Sequence, residues 1–366
     1  MAGETLIRTD KLGRAQCEHC DEVLDVSTYQ VFEEISCPHC GGETTVPGKL
    51  GDYFLLRELG RGGMGAVFLG RDANLNRKVA VKVLNARFGS KPEFVDALLS
   101  EAKAAAALNH KNIVHIFSYG QVHTQPYFVM EYVEGIRLDE CITAGVETDE
   151  EGWLGIMAQV TEGLILSEKV GLIHGDIKPA NILMNQQGVA KLSDFGIARF
   201  GGDAVDRILG TPLYIAPEKS RGHAFDTRAD QFSLGATFWH LLTREPPYEG
   251  KTSKDVVMNR FEKDPPDPRV HVPQLSKATA TLLMRMMAIS PEDRFESFEA
   301  VQERIGKILD RFERRREEAA EAKRAQAELQ RMAAEKRRRK KRRLIQLAAV
   351  LCVAVVAAIF LVPNLF

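Results

Sequence analysis

The chain has 366 residues, with 49 Lys and Arg against 50 Asp and Glu, a formal net charge of −1. That length accommodates one large core plus appendages. The balance speaks against a nucleic-acid-binding body, which needs a basic face to neutralise phosphates. The average conceals an asymmetry: residues 313–343 hold 14 basic and 6 acidic residues (net +8), which leaves 35 basic and 44 acidic elsewhere (net −9).

Met1 to Gly13 is polar and has no apolar h-region, so no signal peptide is expected and the soluble part is expected in the cytoplasm. Next come Cys17-Glu18-His19-Cys20 and Cys37-Pro38-His39-Cys40, separated by 16 residues. Two Cys-x-x-Cys knuckles at that distance fit a structural Zn2+ held by four thiolates (Cys17, Cys20, Cys37 and Cys40), as in zinc ribbons, ahead of an iron site or a redox dithiol. His19 and His39 read as knuckle residues and not as ligands. Cys141 and Cys352 have no partner at a meaningful spacing, which argues against a disulfide framework. The segment, residues 14–48, closes on a Pro47-Gly48 breaker. It is too short to bury much core, so bound metal would supply its folding energy.

Residues 53–310 form the main body. Tyr53–Leu59, Ala66–Leu69, Lys78–Leu84 and Tyr127–Tyr132 read as strands, and Glu93–Leu108 reads as a helix. After residue 150 the pattern turns helical, as in Trp153–Lys169 and Arg228–Leu242. The expected architecture is α+β: a small β-rich lobe, a larger helical lobe, and a ligand in the cleft between them.

Within this body Gly60-Arg61-Gly62-Gly63-Met64-Gly65-Ala66-Val67 is a glycine-rich loop, able to bring backbone N–H groups close to phosphates. A strand follows it, not a helix, which argues against a dinucleotide fold. Val79-Ala80-Val81-Lys82 comes next, then Glu101 in the predicted helix, then Met130-Glu131-Tyr132-Val133. Farther on stands His174-Gly175-Asp176-Ile177-Lys178-Pro179-Ala180-Asn181, and thirteen residues after Asn181 comes Asp194-Phe195-Gly196.

This set resembles the protein kinase family, specifically its bacterial serine/threonine branch, over about residues 53–310. The resemblance implies a bilobal kinase fold that binds ATP and Mg2+ and acts on protein substrates. It implies nucleotide contacts from Gly60, Gly62, Gly65, Val67, Ala80, Lys82, Glu131 and Val133, with Glu101 as the ion-pair partner of Lys82. Asp176 would accept the proton of the substrate hydroxyl, and Lys178 would stabilise charge on the transferred group. Asn181 and Asp194 would hold Mg2+. Ala216-Pro217-Glu218, Asp230, Arg294 and Thr211 match further family positions, with Arg294 expected to pair with Glu218.

One residue departs from the family pattern. Gly175 stands where most kinases carry arginine, and residues 197–210 contain no Ser, Thr or Tyr. The residue that would receive an activation-loop phosphate and the residue that would carry it are absent together. Activity independent of loop phosphorylation is expected, with Asp203 and Asp206 as fixed-charge substitutes.

Residues 311–343 are rich in Ala, Glu, Arg and Lys and read as a charged juxtamembrane helix. A weak heptad there admits a homodimer. Residues 344–362 are nearly all apolar and follow eight consecutive basic residues, Lys336 to Arg343. They read as a single-pass C-terminal transmembrane helix in the cytoplasmic (inner) membrane, with the kinase on the cytoplasmic side. The leading expectation is a membrane-anchored serine/threonine protein kinase; the competing one is a catalytically weak kinase-like scaffold at the membrane.

Overall fold

The computed structural model describes residues 9–17, 19–89, 92–146, 148–195 and 213–361, without the side chains of 87, 92–94, 97, 101, 253, 262 and 357–361. It divides into two compact units, Met1–Ile308 and Leu309–Phe366.

In the first unit, Arg14–Gln16 (β1) pairs with Val23–Asp25 (β2), and Glu34–Ser36 (β3) pairs with Glu43–Thr45 (β4). Cys17, Leu24, Val26, Cys37 and Val46 make the small apolar core of this segment. Gly48–Leu50 (β5) then opens a six-stranded antiparallel sheet with Tyr53–Gly62 (β6), Gly65–Asp72 (β7), Lys78–Leu84 (β8), Ile116–Val122 (β9) and Gln125–Glu131 (β10), in the order β5-β6-β7-β8-β10-β9. Ala86–Gly89 (α1) and Pro92–Ala106 (α2) lie between β8 and β9 in the chain, and Leu98 and Ala102 of α2 pack on Leu84, Phe88 and Phe128.

Two strands of the six-stranded sheet were not expected from the sequence pattern. β5 is three residues beside a Pro-Gly pair, too short to show alternation. β9 contains Gly120, which weakens a strand signal. Packing requires that glycine, because a Cβ at 120 would lie 2.3 Å from the ring of Tyr127.

The larger lobe begins with Gly135–Arg137 (β11), which forms a three-stranded sheet with Ile182–Asn185 (β12) and Ala190–Leu192 (β13). Its helices are Leu138–Thr143 (α3), Glu150–Lys169 (α4), Pro217–Ser220 (α5), Arg228–Thr243 (α6), Ser253–Glu262 (α7), Lys277–Met286 (α8) and the first turns of Phe298–Leu361 (α9). Asp149 caps α4 by accepting a hydrogen bond from the Gly152 N–H at 2.8 Å. The α6 helix buries Phe232, Leu234, Phe238, Trp239 and Leu241 and forms the centre of this lobe.

The charged segment 311–343 and the apolar run after it belong to the single helix α9. Phe298, Val301, Ile305 and Ile308 are buried at its start. Among the described residues no helix is long and apolar enough to cross a membrane. The expected span, 344–362, is helical through Leu361, and the side chains of its residues 357–362 lie outside the described ones.

One buried ion pair ties the helical lobe together. The Arg294 guanidinium donates to Glu218 Oε1 and Oε2 at 2.7 and 2.9 Å, and also to the carbonyls of Arg228 and Ala288. The Arg294 side chain is fully buried and that of Glu218 is 10% exposed. Arg294→Met would strand a buried carboxylate and should cost about 3–5 kcal/mol in urea unfolding, with Arg294→Met/Glu218→Leu recovering most of it. A loss below about 1 kcal/mol in the single variant would refute this account.

Candidate active site and four-cysteine site

The β6–β7 hairpin, β8, β10 and the β11–β12 region enclose a cavity of about 490 Å3 between the lobes. That volume lies in the range of small-ligand sites. Its upper wall holds Gly60, Gly62, Gly65, Val67, Ala80 and Lys82, its back Met130 to Val133, and its floor Asp176, Lys178, Asn181, Leu183 and Asp194. Ala80, Val114 and Met130 form an apolar layer together with Leu59, Val67, Val133 and Leu183. A flat apolar group fits such a layer, with the backbone of Glu131 to Val133 along its edge. The Glu131 side chain is not available to that group, because Lys191 holds it at 2.9 Å.

The glycines of the loop differ in their reasons. Gly65 has a φ of +154°, and a Cβ there would meet the Val83 carbonyl oxygen at 2.0 Å, so the fold itself requires glycine. Gly62 and Gly63 have open space where a Cβ would go. Among the described residues no atom forbids a side chain at 62 or 63, so the space beside them is open to a group entering the cavity.

On the floor, β12 and a turn at Pro179–Asn181 bring Asp176, Lys178 and Asn181 together. Asn181 Nδ2 donates to the Asp176 carbonyl at 2.8 Å and to Asp176 Oδ2 at 3.0 Å. That leaves Asn181 Oδ1 as the oxygen it can offer to a cation. Lys178 Nζ donates to Asp176 Oδ2 at 2.7 Å. Lys82 Nζ pairs with Asp194 Oδ1 at 2.7 Å. Burial pushes the Asp194 carboxyl up, but Lys82 and Lys178 outweigh it and hold it below the usual carboxylate range. Asp194 has a left-handed φ of +66°, a strained conformation of the kind that gathers at functional sites. Glu101 lies in α2, but its side chain is outside the described residues. So are residues 196–212, with Gly196, Asp203, Asp206 and Thr211.

The loop hangs from Asp230 in α6, whose two carboxylate oxygens accept the backbone N–H groups of His174 and Gly175 at 2.7 and 2.8 Å. His174 is fully buried, and burial outweighs the pull of Asp230 to lower its pKa and keep the ring neutral. Its Nδ1 accepts the Asp176 N–H at 3.2 Å, so Nε2 carries the proton and donates to the Ser193 carbonyl at 2.8 Å. One imidazole thus joins the Asp176 loop to the strand end that carries Asp194. Sequence spacing did not point to this role of His174 and Ser193.

Gly175 has a φ of +77°, and its carbonyl accepts a hydrogen bond from Lys219 Nζ. A Cβ at 175 would stand 3.2 Å from that ammonium. Glycine removes the left-handed strain of about 1–2 kcal/mol that an L-residue incurs there. Lys219, directly after Glu218, was not singled out from the sequence, since only the fold brings it to position 175.

At the other end of the first unit, the four cysteine sulfurs lie within 4.8 Å of one another. The pairs Cys17–Cys40 and Cys20–Cys37 are each 3.8 Å apart. A tetrahedron with Zn–S bonds of about 2.3 Å has edges of about 3.8 Å, whereas a disulfide requires about 2.05 Å, so the donor set fits a zinc ion. His19 Nε2 is turned to the Glu43 carbonyl at 2.8 Å and away from a ligand role.

A family profile described as "Protein kinase domain" matches residues 53–305. This chain belongs to the protein kinase family. The serine/threonine-protein kinase PknB of Mycobacterium tuberculosis is 38% identical over 265 residues, covering 69% of this chain and 42% of that protein. The serine/threonine-protein kinase PrkC of Bacillus subtilis is 32% identical over 264 residues, covering 71% of this chain and 41% of that protein. The chain therefore spans about two fifths of the length of these curated relatives. The crystal structure of the Mycobacterium tuberculosis PknI kinase domain superposes with a TM-score of 0.58 at 28% identity, covering 71% of this chain and 96% of that domain. Both of these relatives are bacterial and are named as serine/threonine-protein kinases.

The two kinds of glycine separate experimentally. Gly65→Ala should lower the melting temperature by several degrees, since the sheet must shift to admit a Cβ. Gly62→Ala should leave the melting temperature unchanged yet weaken ATP binding by about tenfold in calorimetry, roughly 1.4 kcal/mol. Unchanged affinity in the second variant would show that position 62 does not meet the nucleotide.

Proposed function

We propose that this chain transfers the γ-phosphoryl group of ATP to Ser or Thr hydroxyls of protein substrates. The observation that carries this reading is the convergence of Lys82, Asp176, Lys178, Asn181 and Asp194 on one cavity beneath a glycine loop with bare positions at 62 and 63. The Ala80, Val67 and Leu183 layer receives the adenine, and the backbone beside Glu131 and Val133 reads its edge. Lys82, held by Asp194 and in the family also by Glu101, orients the phosphates. The Asp176 carboxylate, its Oδ2 fixed by Lys178 and Asn181, orients the acceptor hydroxyl and takes its proton on Oδ1. Asn181 Oδ1 and the Asp194 carboxylate would hold Mg2+, which neutralises phosphate charge when bound.

Independence from loop phosphorylation has its own support. The arginine that would read a loop phosphate is replaced by Gly175, and the ammonium of Lys219 already sits against that backbone. Lys219 is engaged by the Gly175 carbonyl, and residues 197–210 offer no hydroxyl to phosphorylate. The scaffold alternative has less support, because no chemical group is missing from the described floor of the cleft.

A Zn2+ held by Cys17, Cys20, Cys37 and Cys40 is part of the proposal, as a structural ion with no open coordination position. So is attachment to the cytoplasmic membrane through residues 344–362. Leu344, Ile345, Leu347, Val350, Leu351, Val353, Val355 and Val356 are all more than half exposed, a row of apolar side chains with no cover, directly after the basic run. Dimerisation along residues 311–343 rests only on the weak heptad.

Phosphoryl transfer from labelled ATP with Mg2+ tests the reading. Asp176→Asn should lose about 10²–10⁴-fold in kcat and Lys82→Met should be comparably impaired, while phosphatase-treated wild type keeps its rate. Equal incorporation in wild type and both variants would overturn the enzyme reading, and a silent phosphatase-treated protein would overturn only loop independence. In cell fractionation, the full chain should pellet with membranes and a chain ending at Arg343 should move largely to the soluble fraction. Membrane recovery unchanged by the truncation would refute the anchor.

A further inference from the structure

Phosphoryl transfer makes no use of the way the four-cysteine segment meets the sheet. β5 runs straight out of that segment and pairs with β6 as Gly48–Leu55, Lys49–Phe54 and Leu50–Tyr53. Asp10 bridges to Lys49, and Gln16 Oε1 accepts from Arg71 Nη1 of β7 at 3.3 Å. The central contact is aromatic. Phe32, in the turn before β3, stacks on Phe68 of β7 with ring centroids 5.2 Å apart and planes 16° from parallel.

Two facts make this contact more than packing. Phe32 has a φ of +69°, a rare conformation for a bulky L-residue that persists only when the surroundings enforce it. The enforcement comes from the cysteine segment: the Phe32 N–H donates to the Val46 carbonyl at 2.8 Å, and the Val46 N–H returns to the Glu33 carbonyl at 2.9 Å. Val46 in turn packs in one apolar cluster with Cys17 and Cys37. On the other side, Phe68 is followed back along β7 by Val67, whose side chain points to the opposite face and lines the nucleotide cavity. Val67 is also the register partner of Lys82.

A continuous path of contacts therefore runs from the cysteine cluster through Val46, Phe32 and Phe68 to Val67 and the Gly65 end of the loop. We propose that Phe32 is a positioning residue through which the closed four-cysteine site holds β7 and the glycine loop in their nucleotide-binding form. With the thiolates unligated, the turn around Phe32 loses the metal's contribution to its fold and Phe68 loses its cover. The kinase then still folds, since β6–β10 keep their own core of Leu55, Ala66, Val79, Val81 and Val83, but grips ATP less firmly. The inference rests on the kinase and zinc readings above, and the test separates it from both.

The test uses the full chain in detergent, with bound zinc counted by elemental analysis, then removed by chelation and restored by ZnCl2. Zinc removal should raise the KM for ATP about three- to tenfold with kcat changed less than twofold, matching the energy of an aromatic pair. Amide exchange in residues 65–72 should accelerate in the same protein. Phe32→Ala should reproduce both effects while one zinc per chain stays bound, and Phe32→Tyr, which keeps the stack, should restore wild-type behaviour. An unchanged KM and unchanged exchange in zinc-free wild type and in folded Phe32→Ala overturns the proposal. A wild type that binds no zinc retires the metal reading, and the Phe32→Ala comparison then decides the packing contact alone. Loss of all phosphoryl transfer in zinc-loaded wild type would count against the kinase reading instead.

Discussion

The buried carboxylate of Asp230 organises the chemistry of this chain without touching a reactant. Its two oxygens take the N–H groups of His174 and Gly175, consecutive residues whose peptide groups would otherwise be stranded in the core. Burial raises its pKa and the donated N–H groups pull the other way, so the charge it carries is stabilised by what it holds. From that anchor the loop turns through the left-handed Gly175 and presents Asp176 to the cavity. Neutral His174 extends the same restraint to Ser193 and so to the backbone that carries Asp194. The carboxylates of Asp176 and Asp194 thereby share one support.

Around this support the two lobes contribute different physics. The sheet offers bare backbone and an apolar layer, suited to a nucleotide whose binding depends on close approach and shape. The helical lobe offers fixed charges already in pairs, Lys178 with Asp176 and Arg294 with Glu218, and its Asp194 pairs with Lys82 of the sheet. Charges positioned before the reaction need no reorganisation during it, which is the main requirement of phosphoryl transfer. Lys219 belongs to this set as well. It brings a cation to the backbone at position 175, where the family ordinarily places one through the side chain.

The residues proposed to carry the chemistry were legible in the chain because phosphoryl transfer demands fixed side-chain types at short spacings. Asp176, Lys178 and Asn181 sit within six positions of one another, and Gly60 to Val67 form one unbroken loop. The Cys-x-x-Cys pairs were legible for the same reason, since four thiolates around one ion require two tight knuckles. What supports these residues was not legible. Lys219 reaches Gly175 across 44 positions, Lys191 restrains Glu131 across 60, and Phe32 meets Phe68 across 36. Those contacts depend on how elements stack, and any lysine or phenylalanine on a surface turn has the same local signature.

The sequence by itself therefore determined the family resemblance, the order of its motifs, the four-cysteine spacing and the lobe architecture. Each of these follows from local spacing or from periodicity of apolar residues. The tertiary structure alone decided that Gly65 is required by the Val83 carbonyl while Gly62 is left open, and that His174 is neutral with its proton on Nε2. It alone decided that β5 belongs to the nucleotide-binding sheet, although it follows directly on the cysteine segment. Such properties are set by neighbours distant in the chain, through van der Waals contact, hydrogen-bond direction and burial, and no local pattern encodes them.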